Sequence, residues 1–428
     1  MRLHTTLIVL SIVLLAALPA AAAVTAGAAT ADITPDTAKY RVPMAGYGAR
    51  MGKPSTGVHD PLYAKVLVLR DGGRLLGIVT CDLRSVTPEL KGLVVEKAAG
   101  HGFTLENVFM SASHTHSGPS LFPERFWQMQ FGKYDPAIVE TMSGAIAEAL
   151  VKAAENAVPV KAAFAETAAP GFTRNRRWGY DTEARAAAGE SPLIDESMWL
   201  MRLDKEDGST LAVLSHFATH PTILGADNMQ LSAGWPGVFQ REMEKAFPGA
   251  VALYMNGAQG DQAPAGAQGD DAFARIEDFG TRLAAIAADA AKHLEPAEEL
   301  KFSVAHENIA LPDFHFPQEA EKRYAKYLEA AIEALPRKVE LQAIQLGDTV
   351  LVGLPGEPLL VAGREVRNSV KGFGRVLTVG LANNYIGYIV NEAEWNHGGY
   401  EVESRSYYGP GLAKYLAEKA AAVVGEMK

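Results

Sequence analysis

The 428-residue sequence predicts an α/β fold, with mixed β-sheets flanked by helices, and two observations carry that prediction. Short apolar, β-branched runs alternate with segments of helical period along the whole chain. Several neighbouring strands are also joined by tight Gly-containing turns, which an all-parallel doubly wound sheet does not use.

The elements follow in order. Val24 to Pro35 reads as a strand and a turn, and Leu62 to Leu69 pairs with Leu75 to Val79 across Asp71-Gly72-Gly73. Pro88 to Ala99 is helical, and Asn107 to Ser111 is a buried strand leading into a polar loop. Asp135 to Glu155 has a helical period, and Lys161 to Ala165 returns to strand. A second hairpin joins Met198–Leu203 to Thr210–Ser215 across Asp207-Gly208. Val238 to Phe247 is a helix, Val251 to Met255 a strand ending at Asn256-Gly257, and Ala272 to His293 a long Ala-rich helix. Two strands with a helix between them precede Val350–Leu354, which ends at Pro355-Gly356-Glu357 before a helix from Leu359 to Val370. An amphipathic helix, Gly411 to Glu426, closes the chain. With no repeat, low-complexity tract or linker, residues 24–428 read as one domain.

Arg2 followed by the apolar run Leu7 to Leu15 and the small residues Leu18 to Ala23 has the pattern of a cleaved signal peptide over residues 1–23. The apolar run is short for a transmembrane anchor. Export to the periplasm or the exterior is therefore expected. A single cysteine, Cys81, excludes an internal disulfide and a thiolate metal cluster, and its β-rich surroundings make it a core residue. A net charge of −10 with dispersed signs and no basic stripe argues against a nucleic-acid partner.

Four clusters carry chemistry. His114 and His116, two residues apart at a strand end, project to one side. His220 precedes Pro221, which disfavours a helical His216/His220 pair and leaves His216 structural. Glu357 stands on a Gly/Pro-rich loop beyond an apolar strand, where it serves either as a ligand or as an acid at the start of the next helix. Two histidines and a carboxylate with one open position form a known catalytic zinc set. Tyr385, Tyr388, Trp395 and Tyr400 make up an aromatic cluster, with Tyr385 read as core.

In this order the chain resembles the neutral (non-lysosomal) ceramidases. The matching stretches are Met44–Gly48, Gly57–Leu62, Ser113–Pro119, Asn175-Arg176, Phe217–Pro221, Pro355-Gly356-Glu357 with Ala362-Gly363-Arg364, Tyr385–Ile389, Tyr400-Glu401 and Tyr408–Pro410. The resemblance implies a ceramidase-like catalytic domain with Zn2+ on His114, His220, Glu357 and Tyr388. It also implies that His116, Arg176 and Tyr400 line the site. Two departures stand out. The family's Gly-Asp-x-Ser-Pro motif reads Gly260-Asp261-Gln262-Ala263-Pro264, so Ala263 replaces the serine nucleophile, and the family's C-terminal β-rich domain has no counterpart. The resulting expectation is an amide or ester hydrolase in which zinc activates water, His116 is the general base, Arg176 and Tyr400 stabilise the oxyanion, and Asp261 orients the water or caps its loop. The alternatives are an inactive ligand-binding relative and an enzyme for a sugar- or lactone-like substrate, the latter suggested by Arg174, Arg176, Arg177 and Trp178.

Overall fold

The computed structural model describes residues 24–296, 300–318, 322 and 328–427. The proposed signal peptide, residues 1–23, lies outside them.

The larger of two main sheets contains β1 (Thr25–Asp32), β2 (Tyr63–Asp71), β3 (Arg74–Cys81), β4 (Val108–Ala112), β5 (Val158–Ala168), β6 (Ser197–Lys205), β7 (Thr210–Phe217) and β8 (Val251–Asn256). Their order is β8-β7-β6-β5-β1-β2-β3-β4. The β3/β4 and β7/β8 pairs at the two edges are parallel and every pair between them is antiparallel. A second sheet contains β9 (Phe302–Ala310), β10 (Lys338–Leu346), β11 (Thr349–Gly353) and β12 (Arg375–Val379), in that order, with only β11/β12 parallel. Both sheets are mixed, as the hairpin turns require.

The two sheets pack face to face, and helices cover their outer faces. Strand β6 shows why: Trp199, Met201 and Leu203 enter the core between the sheets, while Met198 and Leu200 enter a core against helices. Burial on both faces accounts for the nearly continuous apolar strand sequences. The helices Pro88–Ala98 and Pro136–Glu155 cover one half of the large sheet, and Gly234–Ala246 with Ala272–Lys292 the other. Leu360–Ser369 and Leu412–Gly425 pack together outside the small sheet. Thr87, Asp135 and Asp271 cap their helices by accepting backbone N–H bonds.

The large sheet also coils. A twist of roughly 20–25° per strand pair accumulates over eight strands to nearly half a turn. Accordingly β8, at one edge, reaches β3 and β4 at the other. The Asn256 amide at the end of β8 donates to the Ser113 carbonyl just beyond β4 at 3.1 Å and to the Thr219 carbonyl just beyond β7 at 3.2 Å. The ends of β3, β4, β7, β8, β11 and β12 therefore meet at one place. Cys81 is buried and free, and its burial raises the thiol pKa. Among the described residues no helix is long and apolar enough to cross a membrane.

Candidate active site

Most loops at this meeting point carry one of the expected residues. His114 follows β4 with φ 72, in the left-handed region that a non-glycine residue adopts at a cost of about 1–3 kcal/mol. Its backbone N–H bonds the Leu83 carbonyl, which fixes the turn. His220 lies beyond β7 with its N–H on the Gln262 carbonyl. Glu357 follows β11 and pairs in a short parallel ladder with Tyr388, setting those two side by side. Gly356 is required there, because a Cβ would lie 2.4 Å from the Gly387 carbonyl oxygen.

His114, His220 and Glu357 are buried, and one carboxylate oxygen, Glu357 Oε2, lies 3.1 Å from Nε2 of both rings. His116 Nε2 is 3.2 Å from His114 Nε2, and the ligand atoms of the three histidines fall within 4.8 Å of one another, close enough to hold one metal ion. The other ring nitrogens define the tautomers. His114 Nδ1 lies 2.7 Å from the Arg84 carbonyl and His220 Nδ1 lies 2.6 Å from the Gln259 carbonyl. A carbonyl only accepts, so both Nδ1 atoms carry protons and Nε2 of each ring points inward at Glu357. Burial, followed by the Arg176 charge, pushes the His220 pKa down to about 3, and burial with the neighbouring histidines lowers His116 well below the usual imidazole range. Burial works against the Glu357 carboxylate, but His114 and His220 outweigh it and hold its pKa well below the usual range.

The neighbouring residues complete the site. Tyr385 donates from its hydroxyl to Glu357 Oε1 at 2.7 Å, and Arg84 Nη2 donates to the Tyr385 oxygen at 2.6 Å and lies 3.5 Å from Oε1. Arg176 Nη2 bonds the Tyr388 hydroxyl at 2.8 Å and its Nε bonds Glu401 at 2.8 Å. Burial raises the Tyr388 pKa, and Arg176 opposes that shift. Tyr400 stands at the edge, 48% exposed, with its ring 6.2 Å from that of Tyr388. Gly46, at φ +106, lies against His116, where a Cβ would come 2.7 Å from the His116 Cβ. Tyr47 meets the His116 ring edge-on at 4.8 Å.

Some expected residues lie apart from the cluster. Asp261 is buried and accepts from Leu360 N–H and Asn175 Nδ2, both at 2.9 Å, so it braces the start of a helix instead of facing the histidines. Of its two expected roles the geometry supports the loop brace. His216 bonds the Thr378 carbonyl at 2.9 Å, linking the two sheets. Arg177 is buried in ion pairs with Glu394 and Glu401 and is not available to a sugar. Ala263 lies in a short strand opposite Arg174. Sequence reasoning missed Arg84 and read Tyr385 as core. The Arg84-Ser85 stretch beyond β3 carries no motif, although its position at a parallel strand end was a usable signal.

Comparison with known proteins places this geometry. Over 467 aligned residues, 88% of this chain and 72% of the relative, the sequence is 22% identical to neutral ceramidase of Mycobacterium tuberculosis. It is 28% identical to neutral ceramidase B of Dictyostelium discoideum over 56% of this chain and 35% of that one. Among solved structures, neutral ceramidase from Pseudomonas aeruginosa superposes with a TM-score of 0.78 at 21% identity, covering 95% of this chain and 75% of that chain. A ceramidase complexed with C2 gives 0.80 at 20% identity, with 95% and 76% covered. The neutral/alkaline non-lysosomal ceramidase N-terminal profile matches residues 25–274, more than half of the sequence, and the chain belongs to that family.

Proposed function

We propose that this chain is an exported, zinc-dependent hydrolase, working as one domain from Val24, that cleaves an amide or ester bond in an N-acyl lipid or other small substrate. The observation that carries the reading is a convergence of acceptors. Two buried imidazole Nε2 atoms, each with its Nδ1 on a backbone carbonyl, point at one carboxylate oxygen from 3.1 Å. Such a contact needs positive charge at its centre, and the donor set suits zinc. His114, His220, Glu357 and Tyr388 would hold it. Bound zinc would lower the pKa of a water and polarise the scissile carbonyl.

The protein's own groups supply the rest. His116, kept neutral by burial, accepts a proton beside the centre and returns it to the leaving group. Arg176, fixed by Glu401 and Tyr388, holds a positive charge where negative charge develops on the substrate oxygen, and Tyr400 donates from the rim. Ala263 has no hydroxyl, so no acyl-enzyme forms there and water is the nucleophile. The N-terminal apolar segment supports export.

The test is to produce the chain from Val24, measure tightly bound metal by mass spectrometry and screen N-acyl amides and esters. About one zinc per chain is expected, lost in the His114→Ala/His220→Ala variant, while His116→Ala keeps the metal and loses turnover. A chain that neither contains nor takes up zinc would instead be a ligand-binding protein that has kept the ceramidase scaffold.

A further inference from the structure

One face beside the site has a chemistry that the site does not use. Met51 is 73% exposed, the most exposed large apolar side chain among the described residues, and Met129 is 42% exposed. Met51 lies just past the short helical turn Gly48–Arg50. Met129 lies on the helix Arg125–Phe131, which packs against that turn. Gly52 sits so close to Gly132 that a Cβ on it would lie 2.6 Å from the Gly132 Cα, so the two methionine-bearing segments are held side by side.

Four basic side chains surround them: Arg41, Lys53, Arg125 and Lys133, all exposed. Arg125 and Met129 are one helical turn apart and share the outer stripe. Arg41 and Lys133 flank a cavity of about 490 Å3 that Gly52 and Asp135 also line. Among the described residues none of the four forms an ion pair, and the nearby acids are engaged by hydrogen bonds or half-buried. Asp135 accepts from Ala137 N–H at 3.0 Å, Glu89 accepts from the Tyr134 hydroxyl at 2.6 Å, and Glu124 is half-buried. In a chain of net charge −10, an unpaired cluster of four positive charges around two exposed methionines is a local reversal of sign.

We propose that this face docks on an anionic phospholipid surface, with Met51 and Met129 entering the acyl boundary and a headgroup phosphate seated between Arg41 and Lys133. Apolar side chains ringed by unpaired cations match a negative interface, where each basic group adds attraction that salt screens. A second copy of this chain fits less well, since two such faces would oppose positive to positive. The docked face also adjoins the histidines. Tyr47, at the start of the same turn, packs on the His116 ring, and Arg50 Nη1 donates to the His116 carbonyl at 2.6 Å. Docking would therefore bring the His116 side of the site close to the bilayer.

The experiment is flotation of the chain from Val24, which contains every described element of the fold, with vesicles and no turnover substrate. The probes are phosphatidylcholine alone and phosphatidylcholine mixed with phosphatidylglycerol. The protein should float with the mixed vesicles at low salt, detach as salt rises and ignore phosphatidylcholine alone. Arg41→Glu/Lys133→Glu and Met51→Asp/Met129→Asp, checked for native circular dichroism, should each lower the bound fraction at least about tenfold. The salt series on the unaltered protein tests the charge requirement without any variant. Failure to float with the mixed vesicles at any salt, or flotation of both variants equal to that of the unaltered protein, overturns the proposal. So does a dimer that Met51→Asp dissolves in a protein that ignores vesicles. Because the readout is binding, this result is independent of whether the chain hydrolyses an amide.

Discussion

Two buried polar clusters lie close together in this molecule and differ in kind. Around Arg177, donors meet acceptors. Its Nε bonds Glu394 at 2.8 Å, its Nη1 bonds Glu401 at 2.7 Å and its Nη2 bonds the Gly398 carbonyl at 2.7 Å, while Arg185 holds the other side of Glu394. Around Glu357, two imidazole Nε2 atoms converge on one carboxylate oxygen. The first arrangement is complete without a ligand and reads as a brace between residues 174–190 and 392–405. The second is the one that the proposed cation would complete. Matching donors to acceptors thus separates structural polar clusters from binding ones, where burial and charge alone do not.

That contrast can be broken at either cluster. The largest effect is expected at the centre: Glu357→Gln should reduce tightly bound zinc from about one per chain to none. The metal-free variant should melt no lower than the metal-free parent, because the amide can donate where two acceptors now oppose each other. Metal retention by mass spectrometry, or a sharp fall in the melting temperature of the metal-free form, would refute the reading of that cluster. At the brace, Arg177→Ala leaves Glu394 with Arg185 alone and Glu401 with Arg176 alone, and should cost about 1.5–3 kcal/mol in urea denaturation. Its zinc content should be unchanged, and a loss of metal equal to that of Glu357→Gln would erase the distinction. The smallest effect is expected between them. Tyr385→Phe removes the donor on Glu357 Oε1 and should weaken zinc binding about 10–100-fold in chelator competition, with little change in stability.

Much of this was legible in the sequence. Glycine turns marked both hairpins of the large sheet, and the alternation of strands with helical segments marked its mixed character, because these are local signals. His114, His116, His220 and Glu357 stood out because each ends an apolar strand run. What sequence reasoning missed depends on distant partners. Tyr385 reads as one more core aromatic until Arg84, 301 residues away, is seen bonded to its hydroxyl. The helix Arg125–Phe131 has only 7 residues, buries Phe126, Trp127 and Phe131, and has no side-chain cap, so its pattern is weak. Asp261 was given two roles because its neighbours in sequence say nothing of Leu360, whose N–H it accepts 99 residues on. The coiling of the large sheet, which brings its four parallel-strand ends together beside two from the small sheet, is a sum of small twists that no single stretch announces.

That coiling has a consequence for how the chain comes to be whole. His114 and Glu357 are 243 positions apart, and His220 and Glu357 are 137 apart. No nascent fragment that stops before the second sheet contains the complete ligand set, so the centre is among the last features to form. An ion held there would act as a clasp between the first third of the chain and the last quarter, stabilising the native state with the logarithm of its free concentration. Metal supply in the compartment where the chain folds would then govern its lifetime as well as its chemistry.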